Sequence, residues 1–515
     1  MSSTLRDSMI LGGRCCLAWL NPDRDFLPTD GWDVAHDTGR WWDAILRLEA
    51  AIGFVIPAEL EAAMLRNLQL LTDNVDGLLM NSPAFDGLEA KITPHNFREA
   101  MLAFNALVRY RNSEWAREAG LRLLLTLDRC LDADGRLDLP GLQCWGKIPM
   151  RATGVMDPQS GEHTDGTEHT GRSLEAIIWF YEATGEPLAL DVAERIARYH
   201  LKKNTNADGS VRQEIISKDN IGHCHSYLGT LRGLLLYGLL TRQREYIDTV
   251  NATYRRGVSG GIMTESGWSP HDLGKIRYPN DDGDPSAESA GCGDAIQLAL
   301  WLALRDGQSD LLDDVQRLMR CRILASQATE LEHLDTPRHE RLMPDGMIGS
   351  WGAYSQPYAY SGSMLDVVAA VLHTEADVYT NIVTRDSLGL SVNLHFDYVD
   401  PTITLTVDRS NVATVRCTPW VQDNILLRVP GWAPADSVQI TIDGKPSPTR
   451  AIGDYRLVPK TDFAPGTEIV LTHDLPERTT REVMPVSRNA YELRWRGDEV
   501  IDVEPKGARC MYVGG

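Results

Sequence analysis

The segment 225–240, HSYLGTLRGLLLYGLL, is apolar over most of its circumference and opens on a histidine. A helix of that kind belongs inside a larger helical assembly, not on its surface. Five further segments share the design: 36–53 (HDTGRWWDAILRLEAAIG), 95–110 (HNFREAMLAFNALVRY), 169–185 (HTGRSLEAIIWFYEATG), 291–304 (GCGDAIQLALWLAL) and 361–373 (SGSMLDVVAAVLH). Between them run amphipathic stretches with one charged face, at 57–72, 115–131, 188–203, 244–256 and 311–325. Recurrence of this kind marks a repeat architecture. Six apolar helices alternating with charged-faced ones predict an (α/α)6 barrel, whose inner ring lines a central pocket. An open helical solenoid is the competing arrangement; a count that stops at six favours closure. Gly53 and Gly185 close two of the helices as C-caps, because glycine enters the left-handed conformation without a Cβ penalty.

From about Tyr379 the hydrophobic period falls to two. Segments 388–396, 402–407, 425–429, 438–442 and 468–472 are short, rich in β-branched residues and separated by Gly, Pro, Asp and Asn. They predict an antiparallel β-sandwich, with Asp443-Gly444 as a hairpin turn. The expected organisation is α+β and multidomain, with an (α/α)6 barrel over 1–375 and a sandwich over 376–515. Past Pro476 the chain is harder to assign, and a return of its last stretch to the barrel stays open.

Composition narrows the function. The 515 residues are 43% hydrophobic, which excludes a disordered chain, and a net charge of −21 opposes nucleic-acid or anionic-membrane binding. The nine cysteines, at 15, 16, 130, 144, 224, 292, 321, 417 and 510, are odd in number and irregular in spacing, so no disulfide framework is expected. Residues 9–20 are mildly apolar, but Arg14 interrupts them and no cleavage site follows, so a secretory signal is not read there. No run is long enough to span a membrane. The expected location is cytoplasmic; a homodimer is left open.

Chemistry gathers where the inner helices begin. Glu162, His163, Asp165, Glu168 and His169 precede the third, His223, Cys224 and His225 the fourth, and Glu288, Cys292 and Asp294 the fifth. Helix N-termini of one ring face one mouth of a toroid, so these groups should converge there in a partly positive field. Each has a plainer reading as a cap or a satisfied core histidine. The cluster is harder to dismiss, because His36, His95, His169 and His225 occupy the same relative place in four openings. Carboxylates, imidazoles and aromatic rings together suit carbohydrate chemistry. Trp145, Trp268, Trp351, Tyr354, Tyr358 and Tyr360 fall in loops and are expected to offer sugar-stacking platforms. The loop 260–291 is the longest irregular stretch and holds Glu265, His271, Asp272, Asp281, Asp282 and Glu288.

The order of a GG-I-x(n)-E loop, the Pro279-Asn280 pair, an acidic residue ahead of a cysteine and the helix QLALWLAL resembles glycoside hydrolase family 127. So does the later run LSVNLHFD, ITLTVD, ILLRVPGWA, VQITIDGK, GDYRLV and GTEIVLT, in which RVPGWA is the most specific match. The resemblance spans His169 to Leu475 and implies a β-L-arabinofuranosidase-like enzyme with a barrel and β-sandwich domains. In that family a glutamate, a nearby cysteine and an adjacent Cys pair hold zinc, and one Cys of the pair is the nucleophile. Glu288 matches the glutamate and Cys292 is an approximate match, whereas Tyr360-Ser361-Gly362-Ser363 stands where the pair belongs. The implied chemistry therefore rests on carboxylates, without a cofactor; zinc on Glu288 and Cys292 is the alternative. Family placement nominates Glu265 as proton donor, with Asp272 in reserve and Glu288, Asp294 or Asp165 as the second acid. His36, His95, His169, His223, His225, Trp268, His271, Tyr358 and Tyr360 are expected to bind a terminal sugar. A sugar epimerase, a polysaccharide lyase and a non-catalytic sugar-binding protein are the rival readings.

Overall fold

The structure, a computed structural model, describes residues 4–28, 34–81, 95–137, 141–144, 147, 171–219, 222–330, 348–353, 357–359 and 362–506. Its helices in chain order are α1 (Leu5–Ala18), α2 (Val34–Ile52), α3 (Ala58–Leu71), α4 (His95–Arg111), α5 (Glu114–Cys130), α6 (Ser173–Thr184), α7 (Pro187–Asn204), the one-turn α8 (Gln213–Ile216), α9 (Cys224–Thr241), α10 (Arg244–Thr253), α11 (Ser289–Asp306), α12 (Leu311–Leu318) and α13 (Leu365–Thr380). Helix α2 packs on α4, α4 on α6, α6 on α9, α9 on α11, α11 on α13 and α13 back on α2, so the inner ring closes. This is the (α/α)6 barrel expected from the sequence.

The rings differ as their sequences do. Every residue of α9 from Cys224 to Gly238 is buried, whereas α7 buries only a stripe that includes Ala189, Val192, Ala193, Ile196 and Ala197. Close approach between inner helices is made by glycine. A Cβ on Gly39 of α2 would lie 2.5 Å from the Glu99 carbonyl oxygen of α4, so no larger residue fits that crossing. Gly53 and Gly185 both take φ 70°, as left-handed helix ends require. One outer helix is absent from the sequence reading: α1, which packs on α13 and α2 across the seam of the ring. Its apolar residues were weighed as a leader segment, and only the closed ring gives them a partner. Among the described residues, no helix is long and apolar enough to cross a membrane.

Two sheets form the sandwich. One runs in the order Lys445–Pro446, Gln439–Ile442, Ile469–His473, Ala413–Pro419, Ile403–Asp408, Tyr398–Val399; the other runs Arg450–Ile452, Tyr455–Val458, Ile425–Arg428, Leu390–Val392, Val383–Arg385. All neighbours are antiparallel except Leu390–Val392 and Ile425–Arg428, which pair in parallel. Alternation places Ile403, Leu405, Val415, Cys417, Ile469 and Leu471 in the core with Val392, Ile425, Leu427 and Val458. Asp443 (φ 47°) and Gly444 (φ 72°) make the tight turn between Gln439–Ile442 and Lys445–Pro446.

A third sheet, Glu477–Val483, Ala490–Arg496 and Glu499–Glu504, lies against the barrel. Leu493, Trp495, Val500 and Val503 share a small core with Cys321 and Tyr358. Glu482 accepts from Ser266 N and Oγ at 2.9 Å each and from the Tyr358 hydroxyl. Asp284 accepts from Val486 N (2.8 Å) and Ser487 N (3.0 Å). These bonds hold the long loop ahead of α11 by its two ends.

Candidate active site

A belt of matched charges crosses the barrel axis. Five inner helices contribute: His36 and Arg40 from α2, Arg98 and Glu99 from α4, Glu175 from α6, His225 and Arg232 from α9 and Asp294 from α11; His36 also reaches Asp366 of α13 at 3.1 Å. Glu99 accepts from Arg98 (2.9 Å) and Arg40 (3.3 Å) and pairs with His36 at 3.0 Å. Glu175 bridges Arg98 (2.7 Å) and Arg232. Asp294 takes Arg232 (2.6 Å) and His225, whose other nitrogen faces Arg40 at 2.9 Å. All are buried, so each carboxylate needs its cation. Arg98, Arg40 and His36 outweigh burial and hold Glu99 well below the usual carboxylate range. Asp294 goes the other way: burial pushes it up to about 6 against the opposing charge of Arg232. His36 is raised because Glu99 and Asp366 overcome its burial.

A second cluster sits at the N-terminal ends of α9 and α11. His223 immediately precedes α9, Glu288 immediately precedes α11, and His271 comes from the loop between. Backbone bonds tie the three together: His223 and Asp272 form a β-bridge, Cys224 N donates to His271 O (2.9 Å), and Glu288 N donates to Ser269 O (3.2 Å). His223 Nε2 lies 3.3 Å and His271 Nε2 3.8 Å from Glu288 Oε2, and the two rings are 4.7 Å apart. His223 Nδ1 contacts Ser226 Oγ at 2.8 Å; His271 Nδ1 contacts Asp272 Oδ1 at 3.0 Å. Burial raises Glu288, with the negative charge of Asp366 adding to it. Burial and then the charges of His271 and Arg277 pull His223 well below the usual imidazole value. Tyr278, 43% exposed, meets the His271 ring edge-on at 5.1 Å.

Several expected site residues lie elsewhere. Glu265 is not at the mouth: it is an exposed carboxylate paired with Arg478 of the third sheet at 2.6 Å. The GG segment that was expected to position it is instead the end of a wide π-type turn, Tyr254–Ile262. Asp272 is occupied by Arg277 (2.8 Å) and His271, which hold it well below the carboxylate range despite burial. It positions His271 and is no reserve acid. Asp294 belongs to the belt, as does His225; His36 lies between Glu99 and Asp366, joining belt to mouth. Trp268 packs with Ala287 and Met484, and Tyr358 is buried against Tyr491 and Glu482, so neither offers a face to sugar. Trp351 is core too, donating to Ile323 O at 2.9 Å. His95 opens α4, but its side chain, like Asp165, His169 and Tyr360, lies outside the described residues.

The zinc–thiolate centre implied by the family resemblance does not fit this donor set. Cys292 is fully buried among apolar side chains, its Sγ 3.2 Å from where a Cβ on Gly267 would stand, and burial raises its thiol to about 12. The metal-competent ligand atoms that converge among the described residues are those of His223, His271 and Glu288, without Cys292.

The fold and the mouth together define a class: an (α/α)6-barrel protein with trailing β-sheets and a histidine–carboxylate cluster at the helix ends. Solved proteins share that architecture at length. A GH127 β-L-arabinofuranosidase from Geobacillus stearothermophilus T6 superimposes with TM-score 0.59 at 13% identity, over 91% of this chain and 76% of that one. Another GH127 β-arabinofuranosidase gives 0.61 at 12%, over 96% and 78%, and a further glycoside hydrolase gives 0.59 at 14%, over 90% and 77%. Neither a protein-family model nor a curated protein sequence matches the chain.

Proposed function

We propose that this protein is a glycoside hydrolase that removes a terminal sugar from a small glycoside or oligosaccharide. The observation that carries the reading is a pair of carboxylates, Glu288 and Asp366, presented from adjacent inner helices in unlike surroundings. Glu288 sits between two imidazoles with a raised pKa; Asp366 is held by His36 at 3.1 Å and by Arg40 at 3.8 Å. Hydrolysis of a glycosidic bond needs a proton for the departing oxygen and a second carboxylate at the anomeric centre, and environments that differ assign such roles. Glu288 is the donor and Asp366 its counterpart, with His223, His271 and Tyr278 around the sugar. The belt supports an exo mode, because a buried layer of ion pairs under the mouth gives the pocket a floor. The shared fold with GH127 enzymes supports the substrate class.

The test is turnover of aryl pentosides and hexosides by the wild type, Glu288→Gln and Asp366→Asn. Release of reducing sugar that falls at least about 100-fold in each variant supports the assignment; no release from any substrate, or unchanged release by both variants, removes it. The close His223–His271 pair, rings 4.7 Å apart, would also serve an epimerase. Product NMR separates the two, since epimerisation liberates no aglycone.

A further inference from the structure

We propose that His223, His271 and Glu288 form a three-ligand site for a divalent transition-metal cation. The site goes beyond the hydrolase reading and stands without it. Its ligand set differs from a zinc–thiolate centre: it offers two imidazoles and one carboxylate, and no sulfur.

Geometry carries the inference. With Zn–N and Zn–O bonds near 2.0–2.1 Å, ligand atoms around a tetrahedral ion stand about 3.3 Å apart. His223 Nε2 is 3.3 Å and His271 Nε2 3.8 Å from Glu288 Oε2, and all three ligand atoms lie within 4.8 Å of one another. The widest separation, bounded by 4.8 Å, closes by up to about 1.5 Å on binding, within the reach of side-chain rotation. The rings are also aimed. His271 Nδ1 meets Asp272 Oδ1 at 3.0 Å, the carboxylate–histidine arrangement that fixes the tautomer and turns the Nε2 lone pair outward. Asp272 is anchored by Arg277 through its backbone N (2.9 Å) and guanidinium (2.8 Å), so the orienting carboxylate is itself held. His223 Nδ1 meets Ser226 Oγ at 2.8 Å, which directs its Nε2 toward Glu288. Two lone pairs and a carboxylate oxygen thus face one point, on backbone already locked by the bridge from His223 to Asp272.

The donor chemistry selects the ion. Two imidazoles and a carboxylate suit Zn2+, Co2+, Ni2+ or Fe2+, whereas Mg2+ and Ca2+ require mostly oxygen ligands. Three protein ligands leave a coordination position for an exogenous oxygen, the pattern of a site that meets a small molecule and not of a closed structural one. A carboxylate that ligates a cation cannot donate a proton, so the loaded and proton-donating states of Glu288 are alternatives.

Full-length protein stripped with chelator is titrated with ZnCl2 by calorimetry, and its Co2+ form is recorded in the visible. One ion per chain at micromolar affinity or tighter is expected, with Mg2+ and Ca2+ silent. His223→Ala and His271→Ala should each weaken Zn2+ by at least about 100-fold, and Asp272→Asn by about 10–100-fold. Absence of a saturable site, or His variants that bind Zn2+ as tightly as wild type, overturns the proposal. Where an alanine variant fails to fold, the Co2+ spectrum of the wild type decides: bands of four- or five-coordinate cobalt support the site, and the spectrum of hydrated Co2+ overturns it. Turnover on aryl glycosides is read separately, on the chelator-stripped, metal-free protein. Binding without turnover removes the hydrolase reading and leaves the cation site standing, and turnover without binding does the reverse.

Discussion

The belt across the barrel axis and the cluster at its mouth are built from the same residue types, a few ångströms from one another, and they behave in opposite ways. In the belt every buried carboxylate meets a guanidinium: Glu99 has Arg98 and Arg40, Glu175 has Arg98 and Arg232, Asp294 has Arg232. At the mouth Glu288 faces imidazoles, and the charges of Arg172 and Arg40 act on it less than that of His271. Matched charge makes a structural layer. A carboxylate left to imidazoles is one whose proton, or cation, can come and go. What separates the belt carboxylates from Glu288 is the distribution of arginine; Asp366, with Arg40 at 3.8 Å, stands between the two.

That contrast is open to test, and the belt gives the largest effect. Arg232→Met strips a cation from both Glu175 and Asp294, and breaking buried pairs of this kind costs about 3–5 kcal/mol. A urea melt that loses less than half of that would mean the belt is not a structural layer. Next in size is a pH effect at Glu375, a fully buried carboxylate of α13 bonded to Ser8 Oγ at 2.7 Å and raised by burial to about 8. Its folded pKa exceeds the unfolded value near 4.5, so the unfolded chain sheds its proton first, and stability declines as pH rises from about 4.5 to 8, by on the order of 4 kcal/mol. Glu375→Gln should flatten the fall of Tm over that interval; an unchanged slope would assign the loss elsewhere.

Glu288→Gln tests the other side of the comparison. Turnover should drop about 100-fold, near 2.7 kcal/mol, while Tm holds or rises because no charge can then be buried. A melt as damaged as that of Arg232→Met would place Glu288 in the scaffold. Tyr278→Ala should raise KM up to about tenfold with kcat unchanged, the scale of one aromatic contact. The smallest effect belongs to Glu265→Gln: an exposed pair with Arg478 contributes below about 1 kcal/mol, and turnover should stay within twofold. A large loss there would restore Glu265 to the site.

How much of this was legible follows from which residues signal locally. The inner helices announce themselves because a helix apolar on all sides has nowhere to go but inside. His223, His271 and Glu288 could be singled out because titratable groups beside a buried helix are unusual. The belt arginines were missed, since Arg40, Arg98 and Arg232 each read as ordinary helix polarity until the ring sets them opposite one another. A local trace existed: Arg232 stands alone among the leucines of α9, and Arg40 and Arg47 lie seven residues apart on one face of α2. Asp366 gave less signal, being one acid in the first turn of α13, where acids are common. Glu265, Trp268 and Tyr358 misled for one shared reason. All three face the third sheet, and nothing before residue 477 tells a reader that later strands return to cover that loop.

That return also sets an order of events during synthesis. His271 and Glu288 leave the ribosome far ahead of Glu482, Val486 and Ser487, which clamp the ends of their loop through Ser266 and Asp284. A nascent chain can therefore close its helical ring before the mouth is set. The mouth is completed by strands made later, and until they dock the translated barrel is a container without its working rim.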